Sequence, residues 1–88
     1  MKQLEADGYF CIKIHGGAFQ FAGLPDILAI KNGQAAWIEV KRPGGKPTKL
    51  QSAMLQKLKR FGCRAGVATN LEEALEIVNG HQSEVIQS

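Results

Sequence analysis

The 88-residue chain has only two cysteines, Cys11 and Cys63, and two histidines, His15 and His81. Cysteines so few and so far apart in sequence make neither a disulfide scaffold nor a zinc ligand pair. The expectation is two reduced, mostly buried thiols in a cytosolic protein. The histidines are likewise too sparse for a zinc site. No apolar run approaches the roughly 20 residues that cross a bilayer. The start, Met1-Lys2-Gln3-Leu4-Glu5, lacks the long apolar segment of a secretory signal. There is no internal repeat and no low-complexity segment. What remains is an ordinary globular composition, 44% hydrophobic and 22% charged. One small domain is expected over residues 1–88, with 81–88 as a frayed polar tail. A chain of this size buries about 60–65% of its unfolded surface, enough for one modest core.

Charge of each sign is missing from a different part of the chain. Residues 41–64 hold Lys41, Arg42, Lys46, Lys49, Lys57, Lys59, Arg60 and Arg64 and no acid. Residues 65–88 hold Glu72, Glu73, Glu76 and Glu84 and no lysine or arginine. The net charge of +3 therefore conceals a strong segregation. A basic stretch of this kind favours a polyanionic partner. For Lys57, Lys59 and Arg60, a solvated helix face is the competing reading.

Caps and periodicity set out the elements. A helical stub over Lys2 to Asp7 ends at Gly8. Tyr9 to His15 alternates as a strand, with Phe10, Ile12 and Ile14 on one face and Cys11, Lys13 and His15 on the other. A loop begins at Gly16-Gly17 and reaches Gly23. Asn32-Gly33 between two apolar runs predicts a hairpin with strands at Asp26 to Lys31 and Ala35 to Lys41. Arg42-Pro43-Gly44-Gly45-Lys46-Pro47 is a loop. Thr48 and Gln51 form a capping-box pattern opening a helix that Gly62 ends. Its expected buried stripe is Leu50, Met54, Leu58 and Phe61, broadened by Ala53 and Leu55. A β segment follows at Arg64 to Thr69. A last helix runs over Leu71 to Asn79, capped by Asn70, stopped by Gly80, with Leu71, Ala74, Leu75 and Val78 inward.

The chemistry collects in the hairpin. Asp26 follows Gly23-Leu24-Pro25 and opens the first strand, while Glu39 and Lys41 sit two apart in the second and share a face. Folding at Asn32-Gly33 brings Glu39 near Asp26. Two carboxylates beside one lysine make a site for a divalent cation, because Mg²⁺ is usually held by one or two carboxylates with waters and phosphate. Each residue has a plainer alternative. Asp26 can be a turn residue accepting local backbone hydrogen bonds. Glu39 can pair with Lys41 or an arginine on an open sheet face, and Lys41 can be the first member of the basic loop. Gln51 has the capping box itself. Gly23 and Pro25 are read as backbone geometry. Lys13, His15, Gln20, Arg42, Lys46 and Lys49 are candidate phosphate contacts, of the sort that position a duplex without reading its sequence.

The Pro25-Asp26 … Glu39-Val40-Lys41 pattern resembles the PD-(D/E)XK nuclease superfamily. The Gly-x-Pro-Asp form and short chain are most similar to its virus-type replication-repair nuclease (VRR-NUC) domain, over about Tyr9 to Thr69. The element order α-β-β-β-α-β-α agrees with the restriction-endonuclease-like αβββαβ core of that superfamily, an α/β fold with a mixed sheet flanked by helices. The resemblance implies Mg²⁺ or Mn²⁺ held by Asp26, Glu39 and the Val40 carbonyl, Lys41 positioning or activating the attacking water, and Gln51 near the lysine in contact with water or phosphate. It implies an endodeoxyribonuclease leaving 5′-phosphate and 3′-hydroxyl ends. Standalone relatives occur in phages and bacteria and resemble Holliday-junction resolvases. A homodimer cutting four-way junctions in the cytoplasm of a bacterial or phage-infected cell is the resulting expectation, with Phe19, Phe21 and Ala22 contributing to the dimer contact. A flap, nick or duplex nuclease, a non-catalytic DNA-binding module and a small structural subunit of a phage or repair complex are the alternatives. The family usually has a longer first helix bearing a glutamate that faces the metal. Here about seven residues precede Gly8, and the alternatives are a site of two acids, Glu5 as a substitute close to the strand, or a reading frame that starts earlier.

Overall fold

The computed structural model describes residues 1–14 and 22–80. Its elements run α1 (Lys2–Ala6), β1 (Phe10–Lys13), β2 (Ile27–Lys31), β3 (Gln34–Val40), α2 (Lys49–Arg60), β4 (Arg64–Ala68) and α3 (Leu71–Asn79). The order is the one expected, and the architecture is a small α/β domain with a four-stranded mixed sheet flanked by helices, consistent with a restriction-endonuclease-like core. Strands lie side by side in chain order, antiparallel from β1 to β3, with β4 parallel to β3. The parallel pair requires a crossover, and α2 provides it.

The hairpin folds where its turn chemistry dictates. Lys31 pairs with Gln34, leaving Asn32 and Gly33 as a two-residue loop with φ of 53° and 77°. Both values are positive, as a type I′ turn demands, and asparagine and glycine are the residues that tolerate them. Strand β1 pairs with β2 over Phe10–Lys13, the Ile14 N–H still donates to the Asp26 carbonyl at 2.9 Å, and the last residue of the expected strand, His15, lies outside the described residues.

The two sheet faces are covered differently. On one, Ala29, Ala36, Ile38 and Ala68 meet Leu4 of α1 and Ala74, Ile77 and Val78 of α3, with Tyr9, Cys11, Ile27 and Leu75 at the margin. Alanines on the sheet allow α3 to lie close. Helix α3 is capped as expected, Asn70 accepting from the Glu73 N–H at 2.8 Å, and it stops at Gly80. Its inner face differs from the expected one at two positions. Ile77 is buried, whereas Leu71, the first residue of the helix, is 49% exposed.

Helix α2 packs against β4 on the other face, where Leu55 and Ala65 are buried outside the first cluster. The expected apolar stripe is corrected here. Leu50 is 53% exposed and Phe61 79%, Ala53 is exposed, and Met54 and Leu58 are half-buried around Leu55. Periodicity located the helix correctly but put its buried centre too far toward Leu50 and Phe61.

Candidate active site

The second strand of the hairpin turns Trp37 and Glu39 to the sheet face that α2 covers, level with Leu28 of β2 and Val67 of β4, while Ile38 points to the α3 side. Glu39 is only 2% exposed and is the one charged residue buried among the described residues. A carboxylate so placed is costly without compensation. Lys41, two residues on and on the same face, brings Nζ to 3.5 Å from Glu39 Oε2. The lysine itself remains 24% exposed, so the pair has a buried acid beneath a cation open to solvent. This is the pairing that the plainer reading of Glu39 anticipated, and it leaves Lys41 at the surface where a substrate can meet it.

Asp26 reaches the same place from β2. Its backbone N–H donates to the Ile38 carbonyl at 3.0 Å, and its carboxylate Oδ2 accepts from the Val40 N–H at 2.7 Å. That amide belongs to the peptide bond joining Glu39 to Val40, so the Asp26 carboxylate is held against the chain segment that carries Glu39. Pro25, buried before it, fixes the direction from which Asp26 arrives. Gly23 is a contact point for α2. Its φ is +84°, and a Cβ there would come within 2.9 Å of the Leu50 carbonyl oxygen. The first turn of α2 is therefore seated directly on the segment leading into Asp26.

Asp26, Glu39 and Lys41 are brought together as the spacing anticipated. Gln51 is at the same end of α2, with its side chain in the capping box, Oε1 accepting from Thr48 N–H at 2.8 Å while Thr48 Oγ1 accepts from Gln51 N–H at 3.1 Å. Its amide oxygen is thus engaged in the cap. Arg42 and Lys46, in the loop after β3, and Lys49, at the start of α2, are exposed on this side. Lys13 is not with them. It pairs with Ile27, which pairs with Ile38, and so belongs to the face opposite Glu39. Glu5 is on that far side as well, close enough to Cys11 that its charge, after burial, helps push the thiol's pKa up. It does not take the place of the helix glutamate. His15, Gln20, Phe19 and Phe21 lie outside the described residues.

Among the described residues no three His, Cys, Asp or Glu side chains gather as a metal cluster. The donors that do converge are two hard carboxylates with a backbone segment between them. That set fits Mg²⁺ or Mn²⁺, which take oxygen ligands and complete their shells with water and substrate phosphate, and does not fit zinc.

Comparison with curated proteins gives no match. Comparison with protein families matches the VRR-NUC domain over residues 19–70, more than half of the chain and a span that includes Asp26, Glu39, Lys41 and Gln51. The expected family is thus found on the segment that builds the site: this chain belongs to the VRR-NUC domain family, and its activity is of the nuclease type, with DNA as its partner.

Proposed function

We propose that the protein is a Mg²⁺- or Mn²⁺-dependent endodeoxyribonuclease that hydrolyses phosphodiester bonds of branched DNA, acting as a homodimer on four-way junctions in the cytoplasm of a bacterial or phage-infected cell. The observation that carries the reading is the meeting of buried Glu39, Lys41 and Asp26 at the end of β3. Asp26, Glu39 and the Val40 carbonyl would hold the cation. When bound there it would supply Lewis-acid polarisation of the scissile phosphate and a more acidic water. Lys41, 24% exposed over Glu39, orients the attacking water and offsets charge that develops on the phosphate oxygens. Water attacks phosphorus in line with the departing 3′ oxygen, giving 5′-phosphate and 3′-hydroxyl ends. With its Oε1 in the helix cap, Gln51 has its amide nitrogen as the group to offer substrate. Arg42, Lys46 and Lys49 contact phosphates, and His15 and Gln20 remain candidates for the same task.

Paired cuts across a junction need two sites, and a two-fold dimer supplies equivalent ones. The test compares cleavage of a synthetic four-way junction with that of a linear duplex of the same sequence, in Mg²⁺ and in Mn²⁺. Faster, paired cutting of the junction is the expected result. Equal rates on both substrates would make this a general duplex nuclease, and binding without cleavage in either metal would make it a DNA-binding module.

A further inference from the structure

The outward face of α2 carries a cation at its first residue and two more near its far end, and the capping and packing of the helix do not require all of them. At about 100° per residue, Lys49, Lys57 and Arg60 fall within an arc of about 80°, directly opposite buried Leu55. All three are exposed; Ala53 lies between them on the helix surface, Gln56 and Ser52 border the arc on one side, and exposed Leu50 and Phe61 border it on the other. Lys59, half-buried, stands apart from this stripe. Cations in the last turn have an ordinary explanation, since Lys57 and Arg60 complement the negative end of the helix dipole. That explanation fails at the other end. The first turn has no acid, and its first residue is Lys49, a cation at the positive end, where a carboxylate would stabilise by about 0.3–1 kcal/mol.

The stripe also has a direction. The start of α2 rests on Gly23, before Asp26, and the residue just past its far end is tied to the hairpin-turn end of β3 by the Gln34 Nε2 donor to the Gly62 carbonyl at 3.3 Å. The cations therefore lead away from the site over about 16 Å, at a rise of about 1.5 Å per residue. One DNA strand advances about 3.4 Å per nucleotide along the duplex axis, so the span corresponds to roughly five nucleotides. The acids of α3, Glu72, Glu73 and Glu76, are on the helix that covers the other sheet face.

We infer that the outer face of α2 is a phosphate-contacting track, in which Lys49, Lys57 and Arg60 hold the backbone of the DNA strand running out of the active site for about five nucleotides. This rests on the nuclease reading of the site and adds to it the course of the substrate. It makes no use of base edges, so the track is indifferent to sequence.

The test measures binding of a labelled linear duplex by fluorescence anisotropy, without divalent cation, from 50 to 200 mM salt. Each phosphate contact adds about 0.9 to the slope of log affinity against log salt. Lys57→Gln with Arg60→Gln is expected to lower that slope by close to 2 and to weaken binding about tenfold or more at the low-salt end. The same charge removed on the far side, Lys2→Gln with Lys31→Gln, should change the slope far less. Lys57→Arg with Arg60→Lys keeps the charges and should keep the wild-type slope, which separates phosphate contact from a weakened helix end. A slope unchanged by the α2 pair, or lowered equally by the far-side pair, overturns the track. Cleavage by the wild type is scored separately. An unchanged slope with cleavage intact rejects the track alone, whereas the expected slope loss with no cleavage in Mn²⁺ rejects the nuclease reading and keeps the track.

Discussion

Glu39 and Lys41 show how one spacing serves both folding and chemistry. An acid buried to 2% exposure is tolerable because a lysine two residues on reaches back over it to 3.5 Å. The same spacing gives an anionic pocket roofed by a cation. Asp26 is fixed by the Val40 N–H, so its carboxylate has one orientation rather than a range of rotamers. A second acid, Glu73, has only a structural task. It accepts from the Thr69 N–H at 2.7 Å and the Thr69 hydroxyl at 2.8 Å, and those bonds, the backbone one first, hold its carboxyl below the usual carboxylate range. A depressed folded-state pKa means stability that is fully present above the unfolded value, near 4.5, and lost as pH falls through the folded one. Glu73→Gln should thus be less stable than wild type in urea denaturation at pH 7, with the gap closing toward pH 3. A gap that stays constant across that range would show that the charge is not what Thr69 recognises.

At the scale of the element, local chemistry was legible and burial only in part: Leu55, Ala74 and Val78 are buried as expected, while Leu50, Phe61 and Leu71 are not. Asn32-Gly33, the Thr48–Gln51 box and the Asn70 cap each involve neighbours in sequence, so their geometry follows from residue type alone. Which side of a helix or strand faces inward depends on what covers it. Leu50, Phe61 and Leu71 have the right period and are exposed, while Leu55 and Ile77 occupy the inner positions. Strand alternation likewise gave Lys13 a face without saying that it is the face away from Glu39. Element-scale predictions follow from the same caps and contacts. Thr48→Ala removes one half of the capping box and should cost about 1 kcal/mol in urea denaturation. A loss near zero would show that α2 is held by packing alone. Gly23→Ala should be worse, since its Cβ would press on the Leu50 carbonyl at 2.9 Å with φ at +84°. Its expected signature is a drop in both stability and cleavage, because the strain falls on the segment that delivers Asp26. Unaltered cleavage would mean that α2 does not help to place that residue.

For the whole molecule, charge and apolar surface are sorted by face. The site and basic α2 occupy one side of the sheet, and acidic α3 covers the other. On the same sheet face, edge strand β1 leaves Phe10 64% and Ile12 37% exposed, Phe10 toward the hairpin-turn end and away from Glu39. Exposed aromatic surface on an edge strand suits contact with a second copy, and it adds described residues to the dimer contact expected around Ala22. Under the homodimer proposal, Phe10→Glu should convert the protein to monomers in light scattering after size exclusion and reduce paired junction cuts while single nicks persist. A wild type that is already monomeric at assay concentration would contradict the dimer.

The central claim is that Asp26, Glu39 and Lys41 form one hydrolytic centre. Its most direct measurement is the rate of DNA cleavage by wild type, Asp26→Asn and Lys41→Ala in Mn²⁺, with circular dichroism confirming that all three are folded. The account predicts cleavage by wild type, its abolition by chelation, and a loss of at least about 10²-fold in each variant. Folded variants that cut DNA as fast as the wild type would contradict it.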